Sequence, residues 1–111
     1  MITINHTRLN RVDLVALGGR IDSSTAPDLE KTLQSIIDEG RYRIVLNMKD
    51  VTFTSSACLR AMIGALKQVK HHRGDVRLSE VTPHIKEVLE LAGLDQLFKM
   101  YDNDVLAVGS F

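Results

Sequence analysis

The chain has 111 residues, of which 44% are hydrophobic and 25% charged, a length that suits one compact domain rather than two. Its 14 basic and 14 acidic residues cancel, which argues against direct nucleic-acid binding and against a polybasic membrane anchor. One cysteine excludes an intramolecular disulfide, and no apolar run resembles a signal peptide or a membrane span. We therefore expect a cytoplasmic protein.

Alternating apolar and polar residues predict two strands at the start of the chain. One alternation runs from Ile2 to His6 and the other from Val12 to Leu17. Turn residues at 9–11 separate them and predict an antiparallel hairpin. The pair Gly18-Gly19 then either ends the second strand or marks a close backbone approach.

A first helix is predicted to open near Thr25 and to stop at Gly40. Thr25 and Asp28, three residues later, resemble a capping box, and Pro27 suits only a first helical turn. The predicted buried face consists of Leu29, Leu33, Ile36 and Ile37.

The middle of the chain predicts a buried strand and a second helix. Arg43–Met48 contains a continuous apolar run, which is typical of a central strand covered by helices. The second helix is predicted from about Ser56 to Lys70. Its apolar stripe consists of Leu59, Met62, Ile63, Leu66 and Val69.

The last third of the chain repeats this alternation. Val76–Leu78 predicts a strand, and Thr82-Pro83 caps a third helix that Gly93 ends. Residues 98–101 are expected to add a short edge strand, and residues 104–108 are either helical or extended. Strands that alternate with helices predict parallel pairing and an α/β fold.

The sequence offers little for metal or covalent chemistry. His71 and His72 are adjacent and cannot easily face one metal ion, so a solvated helix end is the simpler interpretation. The chain has no phosphate-binding glycine loop. Cys58 lies near a helix start, where the thiol pKa can be lowered and the thiolate can act as a nucleophile. The sequence, however, offers no side chain that can be named as its base. We therefore predict no catalytic residue, metal or cofactor, and no enzyme.

Hydroxyl side chains gather at two predicted strand-to-helix junctions. One junction contains Ser55-Ser56 at the positive end of the second helix, where a cap, a bound anion or a phosphate is stabilised. The other is Asp22-Ser23-Ser24-Thr25. Because the carboxyl ends of parallel strands meet at one sheet edge, the two junctions predict a shared surface. A simple N-cap at Ser55 or Ser56 is the alternative.

The ordered set of segments resembles the STAS domain family, in its bacterial anti-sigma factor antagonist form. The resemblance covers nearly the whole chain, so residues 1–111 are expected to form a single STAS domain. It implies a mixed, mostly parallel sheet of four to five strands with helices mainly on one face. The segments that carry it are Gly19–Asp22, Ala26–Leu33, Ile44–Met48, Val51–Leu59, Gly74–Leu78, Val88–Leu94 and Leu97-Phe98.

The resemblance also implies a regulatory function without catalysis. Such proteins bind an anti-sigma factor that is also a serine kinase of the GHKL type, and so free a sigma factor. The kinase phosphorylates one serine, the complex fails, and a phosphatase of the PP2C type resets the switch. The acceptor falls on Ser56, and the family's acidic residue on the neighbouring loop falls on Asp22. The expected partner-binding residues are Asp22, Ser23, Ser24, Thr25, Thr54, Ser55, Ser56, Ala57, Cys58 and Arg60.

Three positions depart from the family's usual acceptor motif. Ser55 stands where Asp is usual, Ala57 where Ser or Thr is usual, and Cys58 where Gly is usual. We expect the Cys58 side chain to narrow the kinase's approach. The alternative function keeps the fold but is a non-phosphorylated scaffold or a transporter-associated subunit, in which the junction only caps the helix.

Overall fold

The computed structural model describes residues 2–111, and along this range five strands alternate with four helices. The strands are β1 (Ile2–Arg8), β2 (Asp13–Ile21), β3 (Arg43–Thr54), β4 (Asp75–Ser79) and β5 (Met100–Tyr101). The helices are α1 (Ala26–Asp38), α2 (Ser56–Lys70), α3 (Pro83–Leu91) and α4 (Asp104–Gly109).

The five strands form one sheet in the order β1-β2-β3-β4-β5. The hairpin β1-β2 is antiparallel, and the three other neighbouring pairs are parallel. Each parallel step is made through one of the helices α1, α2 or α3, because parallel neighbours need a long crossover connection. The predicted mixed, mostly parallel sheet is confirmed.

The helices cover the two faces of the sheet unequally. α1, α2 and α3 pack into one large core with alternate strand residues such as Ile44 and Leu46. α4 covers the other face through a small cluster of Val12, Val45 and Ala107. Because successive strand residues point to opposite faces, helices on both sides explain the continuous apolar run of β3. No helix within residues 2–111 is long and apolar enough to cross a membrane.

β2 and β3 extend furthest beyond the ends that the sequence predicted. β2 continues through Gly18-Gly19 to Ile21, and β3 continues to Thr54. Their pairing shifts register on both sides of the glycines, so the ladder continues across a local irregularity. A side chain at Gly18 would meet another side chain rather than backbone, because its Cβ would lie 2.5 Å from Thr3 Oγ1 and 3.7 Å from the carbonyl oxygen of Asp50.

The helix ends show which predicted caps form. Thr82 accepts a backbone hydrogen bond from the first turn of α3, as predicted. Asn103 caps α4 in the same way, so residues 104–108 are helical. The predicted capping box at Thr25 is wrong, because its hydroxyl donates to the carbonyl of Arg20 at 2.9 Å and caps no helical N–H.

Gly74, between α2 and β4, makes the closest backbone contact. A Cβ there would lie 1.9 Å from the carbonyl oxygen of Tyr42, which also accepts the N–H of Asp75 at 3.0 Å. We predict that Gly74→Ala lowers the free energy of unfolding by about 3 kcal/mol, as overpacking against backbone does. Urea unfolding followed by circular dichroism measures the change.

Gly64→Ala is the matched control, because nothing lies within 4 Å of a Cβ at that position of α2. Helix propensity alone should then raise the free energy of unfolding by about 0.5–1 kcal/mol. Similar effects of the two substitutions would contradict the close packing of Gly74.

Candidate functional site

The two hydroxyl-rich junctions lie side by side at one edge of the sheet. Ile21 and Thr54 end the paired strands β2 and β3 and lie opposite each other in the parallel register. The backbone N–H of Ser55 donates to the carbonyl of Ile21 at 3.0 Å, which fixes the start of α2 against the end of β2. The carboxyl ends of two neighbouring parallel strands thus bring residues 22–25 beside Ser55-Ser56, as the sequence predicted.

The two adjacent serines have different environments. Ser55 has an extended backbone, and its Oγ accepts the N–H of Cys58 at 3.3 Å, so Ser55 is the N-cap of α2. Ser56 is the first residue of α2 and is exposed. Within residues 2–111 the Ser56 hydroxyl has no side-chain hydrogen bond. This hydroxyl therefore lies at the positive end of the helix, and its modification would break no side-chain hydrogen bond of the fold.

The carboxylate of Asp22 organises the neighbouring loop. It accepts the N–H of Ser24 at 3.0 Å, the hydroxyl of Ser24 at 2.7 Å and the N–H of Thr25 at 3.2 Å. These hydrogen bonds, with that of the Ser24 hydroxyl the largest, lower the pKa of Asp22 from its ordinary 3.8 to about 2. Asp22 therefore carries a full negative charge at neutral pH.

Arg20 connects the Asp22 loop to the end of β3, although no sequence motif singled it out as a site residue. Its guanidinium carbon lies 3.9 Å from the centroid of the Phe53 ring, and its Nε lies 3.5 Å from the Asp22 carboxylate. Arg20 and Phe53 are paired residues of β2 and β3. One signal was available, because residues two apart in an extended chain point to the same side, and Arg20 stands two before Asp22.

Two of the predicted contact residues face inward. Cys58 is fully buried at 0% exposure, and Thr54 is 7% exposed. Burial raises the pKa of the Cys58 thiol to about 12, so the lowered pKa considered from the sequence is wrong. The expectation that the Cys58 side chain narrows the approach to Ser56 is also wrong, because this side chain lies in the core beneath α2, with its Sγ 4.0 Å from Met62 Sδ.

Three residues of the predicted set border a shallow groove between α1 and α2. The groove has a volume of ≈ 260 Å³, and Ser23, Ala57 and Arg60 lie along it. Within residues 2–111, no group of three or more His, Cys, Asp or Glu side chains is placed to hold a metal ion.

Comparisons with known proteins cover almost the whole chain. The family model described as "STAS domain" matches residues 3–106. BtrV of Bordetella bronchiseptica, provisionally named an anti-sigma factor antagonist, is 32% identical over 98 residues, which are 88% of this chain and 84% of BtrV.

Two solved structures share the fold. An anti-sigma factor antagonist from Mycobacterium paratuberculosis superposes with a TM-score of 0.89 at 24% identity, over 99% of this chain and 93% of that chain. The Bacillus cell fate determinant SpoIIAA, in its phosphorylated form, superposes with a TM-score of 0.77 at 16% identity, over 97% of this chain and 98% of SpoIIAA.

The different environments of the two serines predict different stability effects. Ser55→Ala should lower the free energy of unfolding by about 1 kcal/mol, because an N–H at the start of α2 loses its acceptor. Ser56→Ala is the matched control, one residue further on, and should stay within about 0.5 kcal/mol of the unchanged protein. Urea unfolding of the three proteins measures both. A larger loss for Ser56→Ala would show that Ser56 is the cap.

The loop bonds of Asp22 predict a measurable titration. The carboxyl carbon resonance of Asp22 should titrate with a midpoint near pH 2, and Ser24→Ala should raise that midpoint because it removes the strongest bond. Since the folded pKa is the lower one, the stability that Asp22 contributes is present above its ordinary pKa of 3.8 and is lost as the pH falls towards 2. Ser23→Ala, which removes no bond to Asp22, is the control. An unchanged midpoint in Ser24→Ala would refute this account of the loop.

Proposed function

Because this chain belongs to the STAS domain family, we propose that it is an anti-sigma factor antagonist that phosphorylation of Ser56 switches off. The observation that carries the proposal is the exposed Ser56 hydroxyl at the first residue of α2, without a hydrogen bond to the described residues and beside the Asp22 loop. The names of BtrV and of the Mycobacterium paratuberculosis structure support the antagonist role.

The proposed partner is an anti-sigma factor that is also a serine kinase of the GHKL type, and a PP2C-type phosphatase removes the phosphate. The unphosphorylated chain binds the kinase through one surface, the switch edge. The switch edge consists of Asp22, Ser23, Ser24, Ser55, Ser56, Ala57 and Arg60. Its side chains are short except for Arg60, which favours close contact between backbones. Thr54 and Cys58 support this edge from the core, and the half-buried Thr25 supports it through its hydrogen bond to the Arg20 carbonyl.

Charge accounts for the switch without a change of fold. A phosphate on Ser56 adds nearly two negative charges at neutral pH. The amino end of α2 stabilises those charges within the chain, so the domain stays folded. The structure of SpoIIAA in its phosphorylated form, which has the same fold, supports this step.

The same phosphate acts differently in the complex. Asp22 already places a full negative charge on the switch edge, and a partner shaped for a neutral hydroxyl has no cation in place for the phosphate. Burying an unpaired dianion against protein costs several kcal/mol. A loss of about 3 kcal/mol already weakens binding more than a hundredfold.

The proposed role is binding rather than catalysis. The Cys58 thiol is buried and its pKa is raised to about 12, so it supplies no thiolate at neutral pH. We assign no catalytic residue, cofactor or metal to the chain. The proposal involves no direct contact with nucleic acid or membrane.

Phosphate mapping tests the acceptor. We expect incubation with the cognate anti-sigma factor kinase and ATP to place one phosphate on Ser56, located by mass spectrometry of peptides. Ser55→Ala should still be phosphorylated, whereas Ser56→Ala should not. A phosphate on Ser55, Ser23 or Ser24 instead would overturn the assignment.

Binding measurements complete this test. Ser56→Asp should bind the kinase at least about a hundredfold more weakly than the unmodified chain by calorimetry. Ser56→Ala should bind normally, because alanine is small and neutral. Ser35→Asp, which adds the same charge on an exposed position of α1, is the matched control and should also bind normally. Equal binding by Ser56→Ala and Ser56→Asp would favour the scaffold or transporter-associated role.

A further inference from the structure

A cationic pocket lies at the opposite end of the sheet from Ser56. It forms where the turn between β1 and β2, the loop from α1 into the start of β3 and the loop between α2 and β4 meet, and it has a volume of ≈ 450 Å³. Four of its lining residues are arginines, and none is an Asp or a Glu. These arginines are Arg11, Arg41, Arg43 and Arg73.

Three of the four guanidinium groups lack an acidic partner. Among residues 2–111, no carboxylate forms an ion pair with Arg11, Arg43 or Arg73. The chain as a whole has no net charge, so this excess is local. Like charges in one pocket repel each other, and an anion between them converts that repulsion into attraction.

Arg41 supplies a fixed group within the pocket. Its Nε donates to the buried carboxylate of Asp13, and its Nη2 donates to the carbonyl of Leu9 at 2.8 Å. A guanidinium has five N–H donors, so donors remain for a ligand after these two bonds. Because the side chain is already held, a ligand that contacts Arg41 pays little of the usual ordering entropy.

Arg73, which lines the pocket, has an unusual backbone conformation. Its φ is 61°, a left-handed conformation in which a helix normally ends on glycine. The loop is fixed on both sides, by the bond from Gly74 N–H to the carbonyl of Val69 at 2.8 Å and by the stacking of Tyr42 on His72 at 4.0 Å. The carboxyl end of α2 adds about half a negative charge, which three full positive charges outweigh.

We propose that this pocket binds a small multivalent anion that carries a pyrophosphate group. Guanidinium groups recognise phosphate oxygens through paired, charge-assisted hydrogen bonds, and several of them on separate loops suit more than one phosphate. The site is separate from the switch edge and does not depend on the phosphorylation of Ser56. The group is either free inorganic pyrophosphate or part of an organic diphosphate.

Thermal unfolding and calorimetry of the full chain test the proposal with inorganic pyrophosphate. We expect pyrophosphate to raise Tm with one calorimetric site, because a ligand of the folded state stabilises it. Sodium chloride at matched ionic strength should leave Tm unchanged. The same measurements are made with a nucleoside diphosphate. If it binds more tightly than pyrophosphate, the ligand is an organic diphosphate. If it binds equally or more weakly, the ligand is free pyrophosphate. Absence of stabilisation by both would overturn the proposal.

Two variants locate the site. Arg43→Gln and Arg73→Gly should each weaken pyrophosphate binding at least about tenfold, as the loss of a charge-assisted contact does. Arg73→Gly should at the same time raise Tm without ligand, because glycine relieves the left-handed backbone, so weaker binding cannot be ascribed to misfolding. Lys86→Gln removes the same charge from α3 and should bind normally. Equal affinities in all three variants would show nonspecific attraction and refute the site.

Discussion

The parallel pairing of β2 with β3 is the constraint on which both proposed sites depend. The ladder runs from Asp13 opposite Ile44 to Ile21 opposite Thr54. At its carboxyl end it brings the Asp22 loop beside the start of α2. At its amino end it brings the turn after β1 beside the start of β3. Because one ladder sets both placements, a slip of its register would displace both sites and would turn core side chains towards solvent.

Two aspartates near the ends of β2 have different roles because their carboxylates lie in different environments. Asp13 is fully buried and lies 2.6 Å from His6 Nε2, with Arg41 as a second partner. This buried carboxylate, with its two partners, ties together β1, β2 and the loop that precedes β3. Asp22 is partly exposed and is satisfied by its own loop, so its charge is available to a partner.

The elements and their order were predictable because apolar periodicity and glycine and proline signals are local. The extension of β2 and β3 was not, since glycines and the charged pair Lys49-Asp50 look like an end until a neighbouring strand supplies hydrogen bonds. The site residues also divide into those that local sequence signals predict and those that depend on tertiary packing. Ser56 could be found because it lies at a predicted helix start. The contact of Arg20 with Phe53 could not be predicted without the register of β2 against β3. The burial of Cys58 could not be predicted without knowing which side of α2 faces the core.

Charge segregation explains how a neutral chain can carry two anion-related sites. Four arginines and no Asp or Glu line the pocket, a local excess of positive charge that the whole-chain sum conceals. Ser56 and Arg73 flank opposite ends of α2, whose 15 residues span about 22 Å. That length exceeds the Debye length of about 8 Å at physiological salt, so a phosphate on Ser56 and an anion at Arg73 are screened from each other. Any coupling between them must therefore pass through the packing of α2 on its neighbours α1, β3 and β4.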